Sequence, residues 1–189
     1  MRGVFPSHTH TQTHTQTNQT KALDHDDGSN SYLDAYNLQY WGGGKNYLGF
    51  NKHYVGNMYL FPESSQPTAS LGNGYPQCYG SAGGAQLPGR LRDSWVNETC
   101  YTTSGGAGVY SFGCDPASVA DGQAPALANN SLFTGDGSYE LDCGGQHWDL
   151  PTAQAHGLDL GSSVGVTPSS EAVLQAVREF VQEYLVVPM

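Results

Sequence analysis

Six side chains near the start of the ordered sequence are of types that chemistry requires: Asp24, His25, Asp26, Asp27, Lys45 and His53. A β-elimination needs a base for the proton α to a carboxylate, a cation to steady the enolate, and an acid for the leaving oxygen. Lys45 or His53 is the candidate base. Calcium held by Asp24, Asp26 and Asp27 is the candidate cation. A glycoside hydrolase would instead use two of the carboxylates, one as acid and one as base or nucleophile. On these readings Asp26, Asp27, Lys45 and His53 are the catalytic candidates. Each also has a plain structural role. Asp27-Gly28-Ser29 is an ordinary turn sequence. Lys45 can pair with a neighbouring surface aspartate. No glutamate stands at the twelfth position from Asp24, as an EF-hand loop demands.

A second candidate set is aromatic: Tyr36, Tyr40, Trp41, Tyr47, Tyr54 and Tyr59. Aromatic faces stack on sugar rings, and an outer column of them would line a glycan groove. Neighbours along a strand face opposite sides, so about half of the set belongs inside. Tyr40, Trp41 and Tyr47 are the candidate substrate contacts, with Arg90 on the same face as Lys45.

The elements that must position these residues are short. Strand-forming runs at 32–36, 38–41, 47–50 and 54–61 are cut by Asp27-Gly28, Gly42-Gly43-Gly44 and Asn51-Lys52. "YNLQYW" and "GNMYLF" echo each other, with Asn37 and Asn57 lying 20 positions apart. Asn97 and Asn130 repeat the idea at wider spacing. Such a period predicts an all-β solenoid in which each coil gives one strand to each of several parallel sheets. Residues one coil apart then stack about 4.8 Å apart. Asn37 would bond Asn57, because asparagine tolerates left-handed corners and its amide can bond along the column. Asp26 or Asp27 would lie beneath Lys45 or Asn46. An antiparallel sandwich would need two-residue hairpins; Asp136-Gly137, between "SLFT" and "SYEL", is the one credible candidate.

Composition agrees with a turn-rich β protein of one domain: 189 residues, 25 glycines, 12 tyrosines and 13% charged residues. The net charge of −10 disfavours nucleic acid, whose phosphates need a basic patch. No apolar run is long enough for a membrane span. Walker, GxSxG and dinucleotide signatures are missing. Residues 1–22 form a polar Thr/Gln/His repeat, expected to be a disordered tail in which His8, His10 and His14 are solvated. The domain is expected over 23–187. Residues 62–76 and 115–128 look like loops leaving the stack. Four cysteines without a CxxC pair fit two disulfides, with three pairings open. Cys78 with Cys100 and Cys114 with Cys143 would staple neighbouring coils. Sequons at Asn18, Asn97 and Asn129 point, with the cysteines, to a secretory home, although the N-terminus shows no signal peptide. Near the end, Thr167 can cap a helix over about 169–185, with Pro168 at its first position. Its apolar stripe (Val173, Val177, Phe180, Val181 and Tyr184) suits it to cover bare strand edges. "LPTAQAHG" reads as a shorter helix.

"DHDDGS", "GGGKNYLGFNKH" and "YVGNMYLFPE" resemble the right-handed parallel β-helix repeat proteins, the pectin-lyase-like superfamily. "SLFTGDGSYELDCGGQHWDLPTAQAHGLDLGSS" resembles its closing segment, and the likeness spans about residues 23–187. It implies a right-handed parallel β-helix of few coils with a C-terminal amphipathic helix. It also implies a secreted, monomeric protein acting on a polysaccharide as a lyase or hydrolase. Members carry many coils before the point where this chain starts, so the resemblance implies a C-terminal fragment. The alternative is a noncatalytic β-helix module for glycan binding, adhesion or cell-surface structure, or an inactive remnant.

Overall fold

The computed structural model describes residues 14–15, 21–25, 30–41, 43–47, 50–62, 78–82, 92–103, 105–106, 109–111 and 114–185. Most strands are only a few residues long and lie parallel in three sheets. Sheet A holds β3 (Leu33–Ala35), β6 (His53–Val55), β9 (Ser94–Val96) and β12 (Ala126–Ala128). Sheet B holds β1 (His14–Thr15), β4 (Leu38–Tyr40), β7 (Met58–Leu60), β10 (Thr99–Tyr101), β13 (Ser131–Thr134) and β16 (Ser163–Val166). Sheet C holds β2 (Lys21–His25), β5 (Gly43–Tyr47), β8 (Tyr79–Ala82) and β11 (Tyr110–Ser111). In each sheet most neighbours are every third strand of the chain, and all three sheets feed one apolar core. Tyr54, Trp95 and Leu127 enter it from sheet A, Tyr59, Cys100 and Leu132 from sheet B, and Tyr110 from sheet C. Inside, the Tyr54 and Trp95 rings stack at 5.0 Å.

The corner between sheets A and B explains why the strands stop where they do. Tyr36, Gly56, Asn97, Asn129 and Gly161 all have positive φ there, a conformation open to glycine and tolerated by asparagine. The next residue on each pass turns inward and stacks on its counterparts. Asn37 Nδ2 donates to Asn57 Oδ1 at 3.0 Å, as expected. Asn57 Nδ2 donates to Glu98 Oε1 at 3.1 Å, and Asn57 N donates to the same oxygen. Glu98 N donates to Asn130 Oδ1, and Asn130 N to Ser162 Oγ. The column thus runs Asn37, Asn57, Glu98, Asn130, Ser162. Two expectations change. Glu98, not Asn97, is the stacked residue, and the left-handed geometry belongs to the residue before each stacked one. The intervals are 20, 41, 32 and 32 residues, so later passes carry longer excursions. Burial raises the Glu98 carboxyl to about 8, although hydrogen bonds from Asn57 and Tyr59 pull it down.

Other boundaries also move. Gly43 and Gly44 begin β5 instead of breaking the chain, because β2 and β8 supply backbone partners on both sides. Strand pairing starts at β1, inside the segment expected to be disordered; the rest of residues 1–20, His8 and His10 included, lies outside the described residues. Helix α1 (Pro116–Ala120) and β12 occupy what was read as a loop, with Asp115 capping α1. Asp136-Gly137 makes no hairpin, because β13 pairs in parallel with β10 and β16. Ser138 N and Oγ instead close a local turn on Asp136 Oδ1. The antiparallel pair is β14 (Leu141–Cys143) with β15 (Gln146–Trp148), turning on Gly144 and Gly145, both at positive φ.

Both disulfides pair as expected, Cys78 with Cys100 and Cys114 with Cys143. Cys114 and Cys143 sit on adjacent parallel segments. Cys78 and Cys100, by contrast, span less than one full pass, across the core rather than along it. Helix α2 (Leu150–Ala155) is capped by Asp149, and Gly157 turns the chain after it at positive φ. Its Ala153, with Trp148 and Leu158, closes the core at the late end.

Helix α3 (Ser170–Phe180), followed by one π-helical turn (Val181–Leu185), is capped by Ser169. Thr167 is engaged elsewhere, donating to the Thr102 carbonyl at 2.7 Å. The helix packs on a sheet face, where a strand edge was expected. Val173, Phe180 and Val177 lie across the outer face of sheet B, on Leu38, Met58, Leu60, Tyr101 and Phe133. Those five apolar side chains share the outward face with Thr99 and Ser131, and the apolar part of that face needs covering.

Candidate functional site

Among the described residues, four of the eight large apolar side chains left exposed belong to one pass; Leu160, Val166, Leu174 and Tyr184 lie elsewhere. Tyr32, Tyr36, Tyr40 and Trp41 flank β3 and β4 and are all about two-fifths exposed. On later passes the counterparts of Tyr36 are Gly56, Asn97 and Asn129, and those of Tyr40 are Leu60 and Tyr101 beneath α3. The Tyr36 ring lies over Gly56, where even a Cβ would stand 2.8 Å from it. It stacks on Tyr184 at 4.6 Å. The Tyr40 and Trp41 rings are 5.7 Å apart and tilted. Tyr36 and Trp41 both hold positive φ, 57° and 60°, a strained conformation for a bulky residue.

The outer face of sheet A carries a polar chain. His53 Nδ1 lies 2.8 Å from Ser94 Oγ, and His53 Nε2 lies 3.1 Å from Asn51 Oδ1. Asn51 Nδ2 donates to Ser31 Oγ at 3.1 Å. An amide oxygen only accepts, so Nε2 carries the proton and Nδ1 accepts from the Ser94 hydroxyl. Parallel register builds the chain, since Leu33, His53 and Ser94 are cross-strand neighbours. All but Ser31 are partly buried.

The expected site residues fall into several places. The register sets Asp24 opposite Lys45 and His25 opposite Asn46. Asp26 and Asp27 were expected there, but the pass between these two strands is longer than the expected 20 residues, which brings Asp24 and His25 opposite Lys45 and Asn46. Asp26, Asp27 and Arg90 lie outside the described residues, so of the calcium trio only Asp24 is placed. Lys45 and Tyr47 belong to β5 of sheet C, whereas His53 belongs to β6 of sheet A. Lys45 and His53 therefore stand on different sheets. Tyr40 and Trp41 are exposed neighbours, while Tyr54 and Tyr59 fill the core. Among the described residues no three His, Cys, Asp or Glu side chains gather as metal ligands. No described helix is long and apolar enough to cross a membrane. The sequence reading missed Tyr32, and it missed the Ser94–His53–Asn51 chain because 41 residues separate His53 from Ser94.

No protein family, curated protein or solved structure matches the chain.

Proposed function

We propose that this chain is a secreted right-handed parallel β-helix protein of the pectin-lyase-like kind, and that it engages a polysaccharide. The third-strand pairing and the shared core support the β-helix reading. Two disulfides support an oxidising compartment. The observation that carries the functional reading is the exposed aromatic row Tyr32, Tyr36, Tyr40 and Trp41. Two of these rings, Tyr36 and Trp41, are held at strained positive-φ corners, a placement that serves stacking on sugar faces better than it serves stability. Lyase chemistry would draw on Asp24 and Lys45, which are register partners on adjacent strands. A panel of immobilised polysaccharides, assayed for retention and for released reducing or unsaturated ends, tests the reading. Retention that is lost on Tyr40→Ala/Trp41→Ala supports engagement through the row. Retention that is indifferent to both substitutions removes it.

A further inference from the structure

We propose that Ser94, His53 and Asn51 form a nucleophilic centre that cleaves small carboxylic esters, its natural substrates being O-acyl groups on a sugar chain. Four observations support the centre. The nucleophile and base are in hydrogen-bond reach, with Ser94 Oγ 2.8 Å from His53 Nδ1. The base is oriented by a third group, Asn51 Oδ1, at 3.1 Å. The orienter is itself anchored by Ser31. The tautomer this arrangement dictates leaves Nδ1 free to accept the hydroxyl proton. It is the serine–base–orienter logic, here with the two ring nitrogens exchanged relative to the familiar serine proteases.

Arg92 is the residue we assign as oxyanion donor on backbone register alone. It precedes Ser94 by two residues, as Asn51 precedes His53, so the register of β6 with β9 carries it to the Asn51 corner. Arg92 makes no ion pair with another described residue and is partly exposed. Its guanidinium is the group available to steady a developing oxyanion.

The steps balance. Ser94 Oγ attacks the ester carbonyl carbon while its proton passes to His53 Nδ1. The ester C–O bond then breaks, and the alcohol leaves with that proton. Water, deprotonated by His53, attacks the acyl-serine, releases the carboxylic acid and restores Ser94. The substrate class rests on the glycan reading, whereas the chemistry of the centre does not.

The test uses the full chain with its disulfides intact. A fluorophosphonate probe should form an Oγ–P bond at Ser94 with loss of fluoride, mapped by peptide mass. p-Nitrophenyl acetate hydrolysis should fall about a hundredfold in Ser94→Ala and His53→Gln, while Asn51→Asp, still able to accept from Nε2–H, keeps most of it. Absence of probe at Ser94, or a fall of less than about tenfold in Ser94→Ala, overturns the proposal. Thermal unfolding of each variant separates loss of the centre from loss of the fold. Ester hydrolysis without retention on any polysaccharide upholds this centre and sinks the glycan reading. Retention without labelling at Ser94 does the reverse.

Discussion

The outer faces of sheets A and B share one backbone plan and have opposite fates. Sheet B turns Leu38, Met58, Leu60, Tyr101 and Phe133 outward, and α3 lies on them. Burying such a face contributes about 25 cal/mol for each Å² removed from water. Sheet A turns Leu33, His53, Val55, Ser94 and Val96 outward, all partly exposed. Apart from Leu33 these are small or polar side chains that offer a helix little apolar area. Among the described residues the longest helix, α3, lies on the apolar face of sheet B, while the described residues of the polar face stay partly exposed. An ordered polar chain on an accessible face, beside exposed rings, is where a ligand can be met.

The contrast can be attacked at several points. The largest effect is expected from Phe180→Ala, which opens a cavity between α3 and sheet B and should cost about 4 kcal/mol. Denaturant unfolding reads that loss, and ester hydrolysis at Ser94, on the outer face of sheet A, should survive it at moderate temperature. Equal damage to that hydrolysis would mean that the two faces are not independent.

Glu98 sits at the corner that both faces share, so it perturbs both at once. Its carboxyl is raised from the ordinary 4.5 to about 8 in the folded chain. The folded state therefore holds this proton more tightly than the unfolded state. The associated stability is complete below about pH 4.5 and is lost as pH rises through about 8. Between pH 5 and pH 9 the loss should be on the order of 3 kcal/mol. Glu98→Gln, which cannot ionise, should flatten that slope. A slope unchanged by the substitution would place the titrating group elsewhere.

Trp41 gives a smaller effect with a sharper meaning. At φ 60° the backbone is strained for tryptophan, so Trp41→Gly should leave stability unchanged or raise it by about 1 kcal/mol. Glycan retention should nevertheless fall. A variant that loses stability and keeps retention would make Trp41 a packing residue. The smallest effect concerns salt. Stacking releases no counterions, so affinity should barely change between low and moderate ionic strength. A steep salt dependence would point to charge contacts instead of the rings.

The interior was largely legible from the sequence. Asn37 and Asn57 announced their own contact, because one short pass separates them and both are asparagine. The reading slipped where the chain stops repeating cleanly. The next interval stretches to 41 residues, and a glutamate replaces asparagine in the column, so Asn97 drew attention that belonged to Glu98. The helix was visible from its apolar stripe, but its seat was not. Strand edges and an apolar sheet face both attract such a stripe, and only the outward residues of β4, β7, β10 and β13 decide between them. His53 was singled out by type, yet its partners depend on register, which residue type does not encode.

The central claim is that the exposed ring row is a sugar platform, and the protein carries its own reporter. Of its three tryptophans, Trp41 is 42% exposed, whereas Trp95 and Trp148 are 2% and 4% exposed. Tryptophan emission titrated with the best-retained polysaccharide should shift in a saturable way. That response should vanish in Trp41→Phe, with retention weakened but present. A saturable shift of the same size in Trp41→Phe, or no shift on a polysaccharide that the wild-type chain retains, would contradict the account.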